Sequence, residues 1–465
     1  MSAWSGSWTG ISCRAEACPI QSYFPCPTQR GARDWTCACR GVSGLRGVGD
    51  WRKTLFNDVV ILYWLYEISI MMEASMTTLF NYEELTWDAV ADLPRDTALV
   101  LPLGSGYDLN LLAAQLSHPA RVGLLPAFPF GWRGSGLELP ERVFFQYIAN
   151  LLDSLRDDGF SRVYCLAPAG IDPQTFFIQH LSLWCLRLPH TTHNSSIFHL
   201  PLDSERGKVI LIPIGHTEQH GYHLPLSTDT IIINAITQGT VTELPTRSHA
   251  LPVMPYGVST HRSSFAATMN AGGRAFEDFW LAVIDTLVQR GFDRFYLMSG
   301  HGGNVSFLVN IVKYAGERHR RIFCATTWLH TSGRIGAEAL KKYRTSKIGG
   351  MGHAGELETS YLLHLRPDLC HMERVVDETD FIATPDYYMD WIDGGSLVAN
   401  PPWDDDTKTG AYGAGSHGTA EKGRLWLEAA IKEKADHVQQ IHEQHERREK
   451  RRNAGYGLWG KFKER

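Results

Sequence analysis

The chain of 465 residues contains the same succession of apolar strand, amphipathic helix and second strand twice. In the first occurrence, the run TALVLPLG (97–104) precedes the helical run ERVFFQYIANLLDSLRDDGF and the strand-like SRVYCLAPAG. In the second, KVILIPIG (208–215) precedes FEDFWLAVIDTLVQRGF and DRFYLMSG (293–300). Short buried strands that alternate with helices are typical of parallel sheets in α/β proteins. The pattern therefore predicts an α/β fold.

The two occurrences align in three blocks that keep one order. LVLPLGSGYDLN aligns with LIPIGHTEQHG, LLPAFPFG with LPVMPYG, and DDGFSRVYCLAPAG with QRGFDRFYLMSGHG. Three ordered matches are more than the strand–glycine turns that α/β proteins share, so we predict an internal duplication. The polar residues are not kept, since Tyr107 stands opposite Glu218, Leu109 opposite His220 and Ala169 opposite His301. We expect the first copy to have retained its apolar skeleton and lost its chemistry.

The duplication divides the chain into predicted segments. Residues 76–189 form the degenerate copy, which lacks metal ligands and acts as a support, and residues 208–435 form the catalytic copy. The polar, aperiodic stretch 190–207 is predicted to be a linker. Residues 436–465 mix acidic and basic side chains at helical spacing, which indicates a charged, solvated C-terminal helix or tail.

Residues 1–75 differ from the remainder of the chain. They show no sustained apolar period and contain five cysteines, whose spacing matches no standard zinc pattern. The apolar run VVILYWLYEISIMM (59–72) is interrupted by Glu67 and is shorter than the roughly 18 to 20 residues of a membrane span. We interpret the segment as a poorly structured or non-native extension, with Met72 or Met76 as the true start. A small metal knuckle and an atypical membrane anchor are the alternatives.

Composition excludes several classes of partner. Apolar residues make up 43% of the chain and charged residues 20%, as in globular proteins, and the formal net charge is only -5. A small net charge gives no sign of a nucleic-acid or membrane-surface partner. The cysteines beyond residue 75 are scattered through apolar runs, which suits buried thiols in a reducing compartment. We therefore predict a cytoplasmic protein that binds neither nucleic acid nor membrane.

Side chains that can bind metal collect at the strand ends of the second copy. Glu218 and His220 follow the strand-like run 208–214 two residues apart, so an extended backbone directs both to the same side. His301 follows the run 293–298, between glycines that permit tight turns. Ligands gather at the carboxyl ends of parallel strands, because the loops there splay apart. These residues therefore predict a site at one edge of the sheet.

Two further stretches add carboxylates and a third histidine. Asp229 opens an apolar helical run, and GHAGELETSYLL (352–363) carries His353, Glu356 and Glu358. Imidazoles and carboxylates together are ligands for zinc, manganese or iron(II). A carboxylate that can bridge, such as Asp229, is the usual means of holding two ions together. Together these groups favour a metal site over a decorated surface turn, and His216 and His223 are interpreted as structural or as neighbours of ligands.

Four blocks carry a resemblance to a known family. PIGHTEQHGYHLPLSTD, MPYGVSTHRSSFAATM, SGHGGN and GHAGELETS resemble the signature blocks of the creatininase (creatinine amidohydrolase) family. The resemblance implies a three-layer α/β sandwich with a mostly parallel central sheet, a two-metal centre and a homo-oligomer. It also implies hydrolysis of a carbon–nitrogen bond in a small amide-type substrate. Carried over to this chain, Glu218 and His301 would bind one ion, His220 the other, and Asp229 both.

The chain departs from the creatinine-hydrolysing members beside His301. Gly302 and Gly303 stand where those enzymes have a tyrosine and a glutamate, so the second ion needs another carboxylate. Glu358 is the preferred candidate and Glu356 the alternative. A tryptophan that precedes the GHAG block in those enzymes is also missing. We expect the two glycines to open space for a larger amide, so creatinine is not the predicted substrate.

The mechanism that the resemblance implies is attack on the amide carbon by a hydroxide held between two divalent ions (Zn, Mn or Fe). His353 is predicted to pass a proton to the leaving nitrogen, with Glu356 as a second catalytic candidate, and His261 and Arg262 are candidates for substrate contact. The substrate would be an amide, a cyclic amide or a formamide. A catalytically inactive scaffold and a peptidase that trims a small peptide precursor are the alternatives. A nucleotide-binding protein is disfavoured because SGHGGN lacks both the P-loop Lys-Ser/Thr pair and a GxGxxG pattern.

Overall fold

The computed structural model describes residues 77–168, 184–189, 200–260 and 264–455, and all structural statements concern these ranges. The strands are β1 (Thr78–Asn81), β2 (Ala98–Pro102), β3 (Arg121–Leu124), β4 (Val163–Leu166), β5 (Trp184–Leu186), β6 (Val209–Ile214), β7 (Ser248–Ala250), β8 (Arg294–Ser299) and β9 (Phe323–Thr326). The helices are α1 (Trp87–Ala91), α2 (Leu112–Gln115), α3 (Glu141–Asp157), α4 (Thr228–Glu243), α5 (Gly273–Gln289), α6 (Val305–Arg318), α7 (Arg334–Tyr343), α8 (Glu356–Leu365) and α9 (Ala420–Asn453).

The strands form two sheets in which neighbouring strands are parallel. The first sheet has the order β1-β3-β2-β4-β5 and the second the order β7-β6-β8-β9. Apart from the edge strand β1, the two sheets share one order, because β3-β2-β4-β5 matches β7-β6-β8-β9 position by position. This likeness is what a duplicated pattern would produce. Common ancestry of the two halves stays a prediction.

The second sheet is the central layer of a three-layer sandwich. Successive side chains along its strands point to opposite faces of the sheet. Ile210 and Ile212 therefore face the core shared with α5 and α6. Val209 and Leu211 face a second core that is shared with α4, α8 and α9. Continuous burial along β6, with both faces covered, is the pattern expected of a parallel sheet between helices. The predicted α/β sandwich with a mostly parallel sheet is confirmed.

The first sheet packs onto the second through one apolar core. Leu99 and Leu101 of β2 belong to the same buried cluster as α3, α5 and Ile212 of β6. At the contact between helices α3 and α5, the ring centroids of Tyr147 and Phe279 lie 4.7 Å apart. The hydroxyl of Tyr147 donates a hydrogen bond of 2.8 Å to the carbonyl of Tyr256 in the second half. The halves therefore share an interior.

The predicted boundary between residues 435 and 436 falls inside helix α9. This helix runs without interruption from Ala420 to Asn453, and Val438 and Ile441 are buried against the second sheet's outer core. Residues 436–453 are thus helical, but they continue the helix that begins at Ala420 and are partly buried instead of fully solvated. The many charges on the exposed side of the helix obscured its narrower apolar stripe.

Three other predictions concern segments that lie partly or wholly outside the described ranges. Of the predicted linker, residues 190–199 lie outside the described ranges, while Asp203–Glu205 form a short 3-10 turn. The N-terminal extension, including the apolar run 59–72, and the pair His261 and Arg262 also lie outside them. Within the described ranges, no helix is long and apolar enough to cross a membrane.

Candidate metal centre

Six of the side chains singled out in the sequence converge below the carboxyl edge of the second sheet. Each of these residues is at most 2% exposed. The six are Glu218, His220, Asp229, His301, His353 and Glu358. Strands β6 and β8 are adjacent and parallel, with Ile214 opposite Ser299, so the loops that follow them start side by side. Asp229 lies in the first turn of α4 and Glu358 in the first turn of α8, where helix N-termini favour carboxylates.

Asp229 lies between two imidazoles. Its Oδ2 is 3.2 Å from Nδ1 of His301, and its Oδ1 is 3.2 Å from Nε2 of His220. On the first side, His301 Nδ1 is also 2.9 Å from Oε1 of Glu218. On the second side, His220 Nε2 is 3.7 Å from Oε2 of Glu358. The distances therefore define two groups of imidazole and carboxylate atoms that share the Asp229 carboxylate.

Backbone carbonyls fix the tautomers of three histidines. His301 Nε2 lies 2.9 Å from the carbonyl of Val258, and His220 Nδ1 lies 3.1 Å from the carbonyl of Glu218. His353 Nε2 lies 2.7 Å from the carbonyl of Gln219, which is nearer than the side-chain amide nitrogen of the same residue at 3.2 Å. Because a carbonyl only accepts, each of these nitrogens donates and carries the proton in the neutral ring. The other nitrogen of each ring therefore presents a lone pair to the carboxylates, the orientation seen in histidines that bind metal.

His216 has the opposite tautomer, although it lies in the same cluster. The N–H of Gly257 donates a hydrogen bond of 2.9 Å to His216 Nδ1, so the ring proton is on Nε2. That nitrogen lies 3.7 Å from Oε2 of Glu218. A protonated nitrogen cannot bind a cation, which favours His216 as a neighbour of the centre, although His216 also stands with Glu218 and His301 in a group that could hold an ion.

The turn before helix α8 aims His353 and Glu358 at the centre. Ala354 has a positive φ of 53°, which is uncommon for a residue with a side chain and typical of functional turns. Its N–H donates a hydrogen bond of 2.6 Å to Oε2 of Glu358. His353 Nδ1 lies 3.6 Å from Oε1 of Glu218 and 4.0 Å from Oε2 of Glu358. The predicted proton carrier therefore stands among the predicted ligands.

Glu356 does not join the centre, which corrects its assignment as a catalytic candidate. Its Oε1 accepts from Thr345 N at 2.9 Å and from Lys422 Nζ at 2.6 Å, and its Oε2 accepts from Ser346 N at 2.8 Å. Burial would raise the pKa of this carboxyl, but the hydrogen bonds from Lys422 and Ser346 lower it below its usual value. In a helix, residues two apart point about 200° away from each other, so Glu356 and Glu358 cannot face one site.

The charge of the cluster fits divalent cations. The ring nitrogens of His220 and His301 that face Asp229 carry lone pairs when the rings are neutral, so they and the Asp229 oxygens are all acceptors. His220 Nε2 and both carboxylate oxygens of Asp229 are buried and have no hydrogen-bond partner within the described residues. Buried charges that lack partners cost several kcal/mol each, whereas cations between these atoms would satisfy them. The donor set thus fits a metal centre of imidazole and carboxylate ligands.

The two glycines after His301 have different surroundings. A Cβ on Gly303 would lie 2.4 Å from His301 Nε2 and 2.5 Å from the carbonyl of Val258, so only glycine fits beside that hydrogen bond. A Cβ on Gly302 would lie 3.1 Å from the indole of Trp391. A Cβ therefore has little room at either position, although both glycines line an open cavity, and the larger amide substrate stays a prediction.

A cavity of about 780 Å³ extends outward from these glycines. Its walls carry eight aromatic side chains from distant parts of the sequence, namely Phe307, Trp328, Phe381, Tyr387, Tyr388, Trp391, Trp403 and Tyr412. At its inner end, Trp403 packs on His353 with ring centroids 5.1 Å apart. Sequence reasoning missed this region, because most of its wall comes from irregular chain between residues 376 and 412. The density of Trp, Tyr and Phe there was the one available signal.

The family can now be stated from comparison with known proteins. A family model described as creatinine amidohydrolase matches residues 200–438, just over half of the chain. The chain belongs to the creatininase family. The match includes all six side chains of the centre and none of the first half.

Several curated relatives are hydrolases with different substrates. The chain is 34% identical over 173 residues to the mycofactocin precursor peptide peptidase of Mycobacterium ulcerans (strain Agy99), which covers 36% of this chain and 62% of the relative. It is 25% identical over 245 residues to the creatinine amidohydrolase of Pseudomonas putida, which covers 50% of this chain and 89% of the relative. The chain thus spans about three fifths of the length of the first relative.

Solved structures of the family are similar to about half of the chain. One described as "Creatininase Mn" has 23% identity and a TM-score of 0.44, and it covers 51% of this chain and 92% of that chain. Another, a crystal structure of creatinine amidohydrolase (creatininase), has 25% identity and a TM-score of 0.42, with 51% and 92% covered. Neither likeness bears on the chemistry of this chain.

Proposed function

We propose that this protein is a metal-dependent hydrolase that cleaves a carbon–nitrogen bond of an amide. The observation that carries the proposal is the buried cluster in which lone pairs of imidazoles and oxygens of carboxylates face one another. Asp229 lies within 3.2 Å of an imidazole on each side. Without cations, burying these facing lone pairs and carboxylate oxygens would cost free energy of folding, and bound cations would offset that cost.

Two divalent ions, of zinc, manganese or iron, would be held by the two sets of atoms. Glu218, His301 and Oδ2 of Asp229 form one set, and His220, Glu358 and Oδ1 of Asp229 form the other. When bound, such ions lower the pKa of water and polarise the amide carbonyl. The preference for Glu358 over Glu356 as the additional carboxylate is supported by the contacts of both residues.

His353 is the group that we propose moves a proton. Its Nε2–H is held by the carbonyl of Gln219, so Nδ1 is the atom that can take a proton and return it to the leaving nitrogen. Trp403 packs against the ring and restricts its rotation. An imidazole fixed in this way keeps one nitrogen directed to the reaction without reorientation.

The first experiment is metal analysis of the full-length protein with matched variants. We expect about two divalent ions per chain, and fewer in Glu218→Gln and in His301→Ala. His249→Ala and Tyr107→Phe are the controls, since His249 pairs with Glu205 at the opposite end of the second sheet and Tyr107 belongs to the first half. Equal metal loss in the controls would contradict the assignment of the centre.

A peptidase that acts on a small peptide is the second candidate. It is favoured by the similarity to mycofactocin precursor peptide peptidases and by a cavity larger than a compact ring requires. A screen of the metal-loaded protein against cyclic amides, formamides and short peptides distinguishes the two. The intact donor set disfavours an inactive scaffold, and a metal-loaded protein without activity on any amide would restore that alternative.

A further inference from the structure

The aromatic cavity lies directly against the proposed centre. Gly302 and Gly303, which follow His301, line its inner end together with Trp403, which packs on His353. Its volume of about 780 Å³ lies within the range of about 300 to 1,000 Å³ found for small-molecule sites. A molecule in this cavity would therefore lie beside Val258 and Trp403, which contact His301 and His353 of the centre.

The carboxylates in the wall are committed to the protein itself. Asp390 accepts from Arg344 Nη2 at 2.6 Å and from Gly349 N at 2.8 Å. Asp406 accepts from the hydroxyl of Tyr412 at 2.5 Å and from Ile382 N at 2.8 Å. Because both carboxylates are engaged in holding the loops, the surface left for a ligand is mainly aromatic and aliphatic.

The aromatic walls are built at two places. On one, the rings of Trp328 and Trp391 lie edge to face with centroids 6.1 Å apart, and Trp391 covers Gly302. On the other, Tyr412 stacks on Phe381 and packs on Trp403, with centroids 4.4 Å apart in both pairs. Aromatic rings favour other rings in offset or edge-to-face contact, by about 0.5 to 1.5 kcal/mol beyond simple burial.

The outer part of the cavity exposes apolar side chains. Trp328 is 44% exposed, Leu397 60%, Ile382 70% and Val398 98%. Exposed apolar groups that border one concavity mark a binding surface, because water contact with them is unfavourable. Since these side chains line the cavity rather than a flat face, a small molecule that enters it covers them best.

We propose that this cavity binds an aromatic ring of the amide substrate and that Trp391 is the specificity-determining residue. The inference rests on the proposed hydrolase function, because the ring would be placed while the amide lies at the centre. Trp391 lies over Gly302, the residue that follows His301, so its indole is the aromatic ring of the wall that the glycine contacts. A substrate ring packed on this indole would lie beside the loop that carries His301.

The test uses two hydroxamates that share a metal-binding group. Acetohydroxamate has no ring, whereas 3-phenylpropionohydroxamate has one, and 3-phenylpropionamide carries the ring without a strong metal-binding group. Calorimetric titration of the full-length, metal-loaded protein gives each dissociation constant. Burial of a phenyl group leads us to expect roughly 10- to 100-fold tighter binding of the aromatic hydroxamate.

The variants assign that preference to Trp391. Trp391→Ala should reduce it by about tenfold and leave acetohydroxamate unchanged, while Trp391→Phe should retain most of it. Tyr314→Ala is the matched control, because Tyr314 is a half-exposed aromatic on α6 that lies outside the cavity. It should leave all three affinities unaltered.

Two outcomes would overturn the inference. One is equal binding of the two hydroxamates by the unaltered protein, and the other is an aromatic preference that survives Trp391→Ala. Failure of the metal proposal has a different signature, since acetohydroxamate would not bind while 3-phenylpropionamide still would. The two proposals can therefore fail separately.

Discussion

Gly302 and Gly303 form a natural pair for testing how the centre is held. Gly303→Ala would place a Cβ 2.4 Å from His301 Nε2 and 2.5 Å from the carbonyl of Val258, which are the two atoms joined by the hydrogen bond that orients His301. Neither neighbour can yield easily, because the ring is buried and the carbonyl is backbone. Gly302→Ala would meet only the edge of Trp391, at 3.1 Å.

The magnitudes follow from the contacts. Loss of one buried hydrogen bond costs about 1 kcal/mol and forced overpacking about 1 to 3 kcal/mol, so Gly303→Ala should lower the free energy of unfolding by about 2 to 4 kcal/mol. Displacing the partner that orients a metal-binding histidine costs roughly 10- to 100-fold in metal affinity. For Gly302→Ala we expect less than about 1 kcal/mol and little change in metal affinity, since a side chain can shift by a few tenths of an ångström.

Urea unfolding of the metal-free variants gives the first quantity, and metal titration monitored by competition with a chelator gives the second. The reasoning predicts a large difference between two adjacent, chemically identical substitutions. If both variants bind metal as the unaltered protein does, His301 is not held by Val258 in the way described. If both lose metal equally, the effect comes from the loop and not from the hydrogen bond.

Three further outcomes are expected. His353→Ala should retain both ions and lower turnover by roughly 10² to 10⁴, and metal analysis that shows the loss of one ion would make His353 a ligand. Glu356→Gln should lower the free energy of unfolding by about 1 to 3 kcal/mol without a change in metal content, because its partners Lys422 and Ser346 lose a charged acceptor. Burial and Lys434 lower the pKa of His330 to about 4, so the unfolded chain binds the extra proton first and stability falls as pH drops from about 6.5 to 4. His330→Gln should remove up to about 3 kcal/mol of that fall, measured by urea unfolding at both ends of the range.

The side chains at the strand ends were predictable because short apolar runs in the sequence identify the strands that precede them. Apolar runs such as KVILIPIG identify buried parallel strands, and a parallel sheet brings the ends of neighbouring strands to one edge. Glu218 and His220 follow β6, and His301 follows its neighbour β8, so the sheet brings these side chains together. Asp229 and Glu358 join them because helix N-termini lie over the same edge.

The sequence suggested the wrong place for Glu356 and gave no sign of Trp391, for different reasons. Glu356 was within the right block, but helical geometry turns it away from Glu358, and its true partner Lys422 is distant in sequence. Trp391 belongs to irregular chain, in which no period relates a residue to its neighbours in space. Its position over Gly302 depends on the path of the loop, which the sequence alone does not give.

The loop formed by residues 254–258 makes the two halves a single thermodynamic unit. Its Tyr256 carbonyl is held by Tyr147 of the first half, while the next two residues hold His216 and His301 in the second. Any ion that binds only the folded centre adds stability by mass action, and that gain extends to the first half, whose described residues contribute no side chain to the centre. We therefore expect a substitution in the apolar core of the first half to alter the free energy with which a distant imidazole is held.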